Sequence, residues 1–120
     1  MIVEENHTEL LEKAKYKENE YNWVDATEIY KNVADYFKDK KMMKNAAETY
    51  KKLGYASTFA AHTIDTSDKF IELINNAIKA YKESAIIFKE IGNTFKELEC
   101  EAEASLINGF IQDSFLKSET

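Results

Sequence analysis

The chain has 120 residues, 44% of them hydrophobic, with no proline and only three glycines, Gly54, Gly92 and Gly109. That length predicts one folded unit with a modest core, and the scarcity of turn formers excludes loop-rich all-β and α/β folds. All 16 basic residues are lysines, set against 22 acids for a net charge of −6. The guanidinium forks that grip phosphate and read guanine are missing, which excludes nucleic-acid binding as the main task.

The start, "MIVEENHTELLEK", is acidic and unlike a signal sequence, and no apolar run approaches the ~20 residues of a membrane span. Cys100 is the only cysteine, so no internal disulfide forms and a reducing cytoplasm suits the chain. The expectation is an all-α cytoplasmic protein with no membrane span.

The first helix is predicted over about 8–20, with Leu10, Leu11, Ala14 and Tyr21 as its apolar side. A second runs over about 23–39, where Trp23, Ala26, Tyr30, Val33 and Phe37 share one stripe at 100° per residue. "KDKKMMK" follows as a helix–helix corner. Residues 31–56 hold seven lysines against three acids, whereas 1–30 hold eight acids against three lysines and 57–120 eleven against six. Lys38, Lys40, Lys41 and Lys44 are thus the one basic spot on an acidic chain, a candidate contact for an acidic partner.

The third helix, about 42–62, aligns Met43, Ala47, Tyr50, Gly54, Ser57 and Ala61 on a face of mostly small residues that lets backbones approach closely. Thr66, Ser67 and Asp68 compete as N-caps for a fourth, about 68–91. Its stripe of Phe70, Ile74, Ala77, Tyr81 and Phe88 is flanked by Ile71, Ile78 and Ala85 and by Leu73, Ala80 and Ile91, an arc wide enough to need several neighbours. Gly92-Asn93 ends this helix, with glycine supplying a left-handed cap. The fifth runs over about 94–115, because the glutamates and alanines of "ELECEAEA" are poor strand formers and strong helix formers.

Laid over itself at an offset of 51, the chain pairs Ala26 with Ala77, Tyr30 with Tyr81, Lys31 with Lys82 and Ala34 with Ala85, then Phe37 with Phe88, Lys38 with Lys89 and Glu48 with Glu99. These pairs indicate an internal repeat. At the elbow the first copy has Lys40-Lys41 where the second has Ile91-Gly92. The second copy carries Phe88-x2-Ile91-Gly92-x2-Phe95, with Ala102 and Ala104 downstream, and Tyr50-x2-Leu53-Gly54 echoes it. This pattern resembles the W-x2-L-G-x2-Y signature of tetratricopeptide repeats. Across about 23–111 the chain looks most like the longer-helix relatives of that family, such as the soluble NSF attachment proteins. The resemblance implies about five antiparallel helices in a right-handed stack or bundle of helical hairpins, holding another protein or peptide on its surface without a catalytic centre.

Groups that could carry chemistry read as structural. Glu4-x2-His7 has the spacing of a di-iron helix bundle, but no second Glu-x2-His exists. Glu97, Glu99, Glu101 and Glu103 fall into two i,i+4 pairs on opposite sides of a helix and cannot converge. Cys100 lies among these acids, which discourages its thiolate. Phosphate loops, Ser/His/Asp arrangements and metal-spaced cysteines are missing, so no cofactor and no enzyme activity is expected.

Two functions follow. The first is a protein–protein interaction module, self-association included. The second is a closed bundle enclosing an apolar small molecule or lipid, with Tyr30, Tyr50, Tyr81 and the phenylalanines as its lining. For the first, the last helix supplies a face. Leu98, Ala102, Ser105 and Gly109 form a narrow small-residue stripe suited to packing on the fourth helix. Cys100, Ala104, Ile107 and Ile111 lie nearly opposite, with Phe115 further round and Leu106 and Phe110 on the shoulder. That second face is expected to dock a partner or a second copy, unless the first helix folds back over it.

Overall fold

The computed structural model describes residues 7–119, with side chains through residue 111. Five α-helices follow one another: α1 (His7–Asn19), α2 (Trp23–Asp39), α3 (Met43–Ala61), α4 (Ser67–Glu90) and α5 (Thr94–Glu119). No strand occurs among the described residues, and "ELECEAEA" is helical. Only the end of α5 departs noticeably from the sequence expectation, running four residues further.

Three of the four connections are one elbow built three times. At α1–α2, α2–α3 and α4–α5 the helix ends in a single left-handed residue, Tyr21 (φ 62°), Lys41 (φ 60°) and Gly92 (φ 80°). The residue after each donates its N–H five positions back, Asn22 to the Lys17 carbonyl, Met42 to Phe37 and Asn93 to Phe88, at 2.8–2.9 Å. The left-handed residue itself donates three positions back, to Glu18, Lys38 and Lys89 respectively. Each elbow therefore satisfies two carbonyls that the helix end would otherwise leave unpaired. Asn22 and Asn93 also cap the next helix through Oδ1, which accepts from the Asp25 and Lys96 N–H groups. Lys41 and Gly92 stand 51 residues apart, so the repeat seen in sequence is a repeat of hairpins. The α3–α4 connection differs: right-handed turns after Ala61 lead to an extended Thr66 at ψ 137°.

Each helix packs chiefly on its neighbours in the chain, α1 on α2, α2 on α3, α3 on α4 and α4 on α5. The result is a stack of antiparallel helices measuring 53 × 33 × 23 Å. α3 is buried on two sides. Ala46, Ala47, Ala56, Ala60 and Ala61 are fully covered, and Gly54 sits so close to α4 that a Cβ there would lie 2.8 Å from the Tyr81 ring. Small residues on α3 thus admit the large ones of α2 and α4, among them Tyr30, Val33, Phe37, Ile87 and Phe88. Ser84 ties the next interface. Its buried hydroxyl donates to the Ala47 carbonyl on α3 at 2.6 Å and accepts from the Cys100 thiol on α5 at 3.5 Å.

The faces of α5 are reversed from the sequence expectation. Cys100 and Ala104 are buried, and Ile107 and Ile111 pack against the core. Leu98, Ala102, Ser105 and Gly109 are exposed instead. The partners on α4 decide the orientation: the Cys100 thiol meets the buried Ser84 hydroxyl, and Ile107 and Ile111 reach the cluster of Leu73 and Ile74.

Candidate functional site

Stacking places alternate helices on opposite sides of the molecule, which opens a groove on each. The larger, about 1040 Å³, lies between α1 and α5 with α3 beneath it. α1 contributes Thr8, Leu11, Glu12, Lys15 and Glu18, whose spacing keeps them on one helix face. α3 contributes Glu48, Lys51, Lys52 and Tyr55, α5 contributes Lys96, Glu99 and Glu103, and the Tyr30 and Tyr81 rings reach in from α2 and α4.

The lining mixes five carboxylates with four ammonium groups, so it is close to neutral within an acidic chain. Several of these charges are held across the groove floor. Lys51 donates to Glu99, and Lys96 lies 3.7 Å from Glu48, so α3 and α5 are tied twice. Tyr30 donates its hydroxyl to Glu18, which Lys15 also approaches at 3.6 Å. Burial, then the Glu18 hydrogen bond and charge, push the Tyr30 phenol well above its usual range. Tyr81 is raised in the same way, by burial first and then by Glu103. Tyr55 projects from α3 half-exposed, beside the stacked pair of Trp23 and Phe59.

The smaller groove, about 430 Å³, lies between α2 and α4 on the other side of α3. Tyr50 lines it and donates its hydroxyl to Asp35. Burial pushes the Asp35 carboxyl up, but the Tyr50 hydroxyl and the Lys31 ammonium outweigh it and hold the group below the usual carboxylate range. Tyr30 and Tyr81 therefore face one groove and Tyr50 the other. The three do not meet in a shared cavity.

The lysines of the α2–α3 corner are not gathered into one patch. Lys38 turns away and donates to Glu83 on α4, tying α2 to α4. Lys40 sits 5.8 Å over the Tyr36 ring. Lys41 supplies the left-handed elbow, and its side chain and that of Lys44 are exposed. Of the residues expected on the docking face of α5, Ile107 and Ile111 belong to the core, whereas Leu106 and Phe110 are 69% and 59% exposed. Phe115 falls outside the described side chains. His7 stacks on Tyr36 at 3.8 Å, and Glu4 lies outside the described residues. Cys100 is fully buried, and burial raises its thiol pKa.

Of the groove-lining residues of α3, the sequence marks only Glu48, as the repeat mate of Glu99, although Glu48-x2-Lys51-Lys52-x2-Tyr55 lies on one face at helical spacing. Read alone it is a solvated face. Only the flanking α1 and α5 turn it into a floor. No helix among the described residues is long and apolar enough to cross a membrane. No protein-family model, curated protein or solved structure matches the chain at a significant level.

Proposed function

We propose that this chain is a non-enzymatic protein–protein interaction module, a short tetratricopeptide-like scaffold or adaptor that holds a segment of another protein between α1 and α5. The observation that carries the reading is the α1–α3–α5 groove, which is open and lined by both charge signs around three tyrosine rings. Such a surface suits a peptide or helix bearing apolar anchors between charged residues, because specificity then comes from pairing and anchoring together. The lysine–glutamate pairs along the floor hold the groove open while leaving Tyr55, Lys52, Glu12 and Glu103 at its edges. The cytoplasm is the natural setting for a chain whose one thiol is buried and unpaired.

Affinity capture from extract of the native cell tests the assignment, comparing the parent chain with Tyr55→Glu in the groove and Lys82→Glu outside it. A protein held by the parent and by Lys82→Glu but lost with Tyr55→Glu supports the groove. Equal capture by all three overturns it. A lipid or metabolite released from the purified protein on denaturation, in place of any protein partner, favours the small-molecule alternative.

A further inference from the structure

Among the described residues, the outward face of α5 is the largest group of exposed apolar side chains on one helix: Phe95 at 76%, Leu98 at 57%, Leu106 at 69% and Phe110 at 59%. Exposed Ala102 lies at their centre. Counted outward from Ala102, a leucine stands four residues away on either side and a phenylalanine seven or eight, in the pattern Phe-x2-Leu-x3-Ala-x3-Leu-x3-Phe. The pattern reads nearly the same in both directions. That is the requirement of an isologous contact, in which one patch meets itself reversed.

We propose that a second copy of this chain docks on this face, its α5 antiparallel to the first about a two-fold axis passing near Ala102. Leu98 of each copy then lies against Leu106 of the other, and Phe95 against Phe110. Leu98, Ala102, Leu106 and Phe110 form a row at four-residue spacing, and such rows interdigitate between two helices at about 50°. Ala102 at the crossing, with open space around Gly109, lets the axes approach to about 8 Å. The four large side chains offer roughly 500 Å² per copy before any rim is counted, against about 800 Å² per partner in a standard interface. A patch of that size is at the upper end of what a monomer exposes, and such patches often serve binding. Glu101 and Glu103 border the row and meet their own counterparts at the rims, so the attraction is apolar and strengthens as salt screens the charge. A basic partner on the same face would show the opposite salt dependence. The face adjoins the groove at Glu103, but none of its apolar side chains lines the groove, and the proposal stands without the groove's function.

Sedimentation of the full chain over a range of concentrations tests it. The parent is expected to dimerise, more tightly at higher salt. Leu106→Glu is expected to weaken the dimer on the order of a hundredfold with helicity unchanged, since the side chain is exposed. Under mild oxidation with oxidised glutathione, Ala102→Cys should cross-link to itself across the axis while Lys82→Cys on α4 does not. A parent that stays monomeric up to about 1 mM overturns the proposal. So does a dimer that Leu106→Glu leaves intact, or cross-linking no faster at position 102 than at 82.

Discussion

At the α2–α3 elbow a lysine holds the backbone angle that glycine holds at the α4–α5 elbow, φ 60° at Lys41 and φ 80° at Gly92. A side chain in that region crowds its own carbonyl, and the cost is on the order of 1 kcal/mol. Lys41→Gly is therefore expected to raise stability by about 1 kcal/mol, and Gly92→Val to lower it by about 1–2 kcal/mol. Nothing lies within 4 Å of a Cβ built at Gly92, so strain alone acts there. Denaturant unfolding checks both, and equal midpoints for Lys41→Gly and the parent would mean that the elbow carries no strain. Gly54 runs the other way. Helix propensity favours alanine by roughly 0.5–1 kcal/mol, yet its Cβ would press 2.8 Å from the buried Tyr81 ring. Overpacking of this kind costs about 1–3 kcal/mol, so Gly54→Ala is expected to destabilise. Gain of stability would show that the ring yields freely.

At the scale of the helix, the limits of the sequence follow from what each signal measures. All five helices and most boundaries are legible from apolar periodicity, helix-forming residues and caps, as in α2 and at Gly92-Asn93. The elbows at Tyr21 and Lys41 are not legible, because neither residue type advertises a left-handed angle. α5 is ambiguous for a different reason. Cys100, Ala104, Ile107 and Ile111 cover one side and Leu98, Ala102, Ser105 and Gly109 the other, with Leu106 and Phe110 on the shoulder between, so periodicity defines two faces without saying which is inside. Packing on α4 settles it, and the settled orientation is testable. Replacing Ile107 and Ile111 together by glutamate puts two charges against Leu73, Ile74 and Ala104 and should unfold the α4–α5 hairpin. Leu106→Glu in the same helix should leave the circular dichroism of the folded chain nearly unchanged. Matching behaviour of the two variants would contradict the face assignment.

Across the whole molecule, three tyrosines each bind one helix of the stack to the one before. Tyr30 donates from α2 to Glu18 on α1, Tyr50 donates from α3 to Asp35 on α2, and Tyr81 on α4 packs over Gly54 of α3. All three phenols are raised well above their usual range, by burial first and then, for Tyr30 and Tyr50, by the carboxylate each one meets. Below about pH 10, the ordinary tyrosine value, folded and unfolded chains both keep these protons and stability does not depend on them. Above it the unfolded chain releases protons that the folded chain holds, so stability falls as pH rises, with a slope approaching three protons. Because each helix packs chiefly on its chain neighbours, ionising any one of the three opens an interface that no distant helix closes again. The expected outcome is alkaline unfolding in which the last tyrosinate absorbance appears together with the loss of helicity. Substituting Tyr30 and Tyr50 by phenylalanine removes two of the three protons and should flatten the fall in melting temperature above pH 10, even where the lost hydrogen bonds lower stability near neutrality by about 1 kcal/mol each. A parent whose seven tyrosines all ionise while its helicity stays intact would show that these phenols do not hold the stack together.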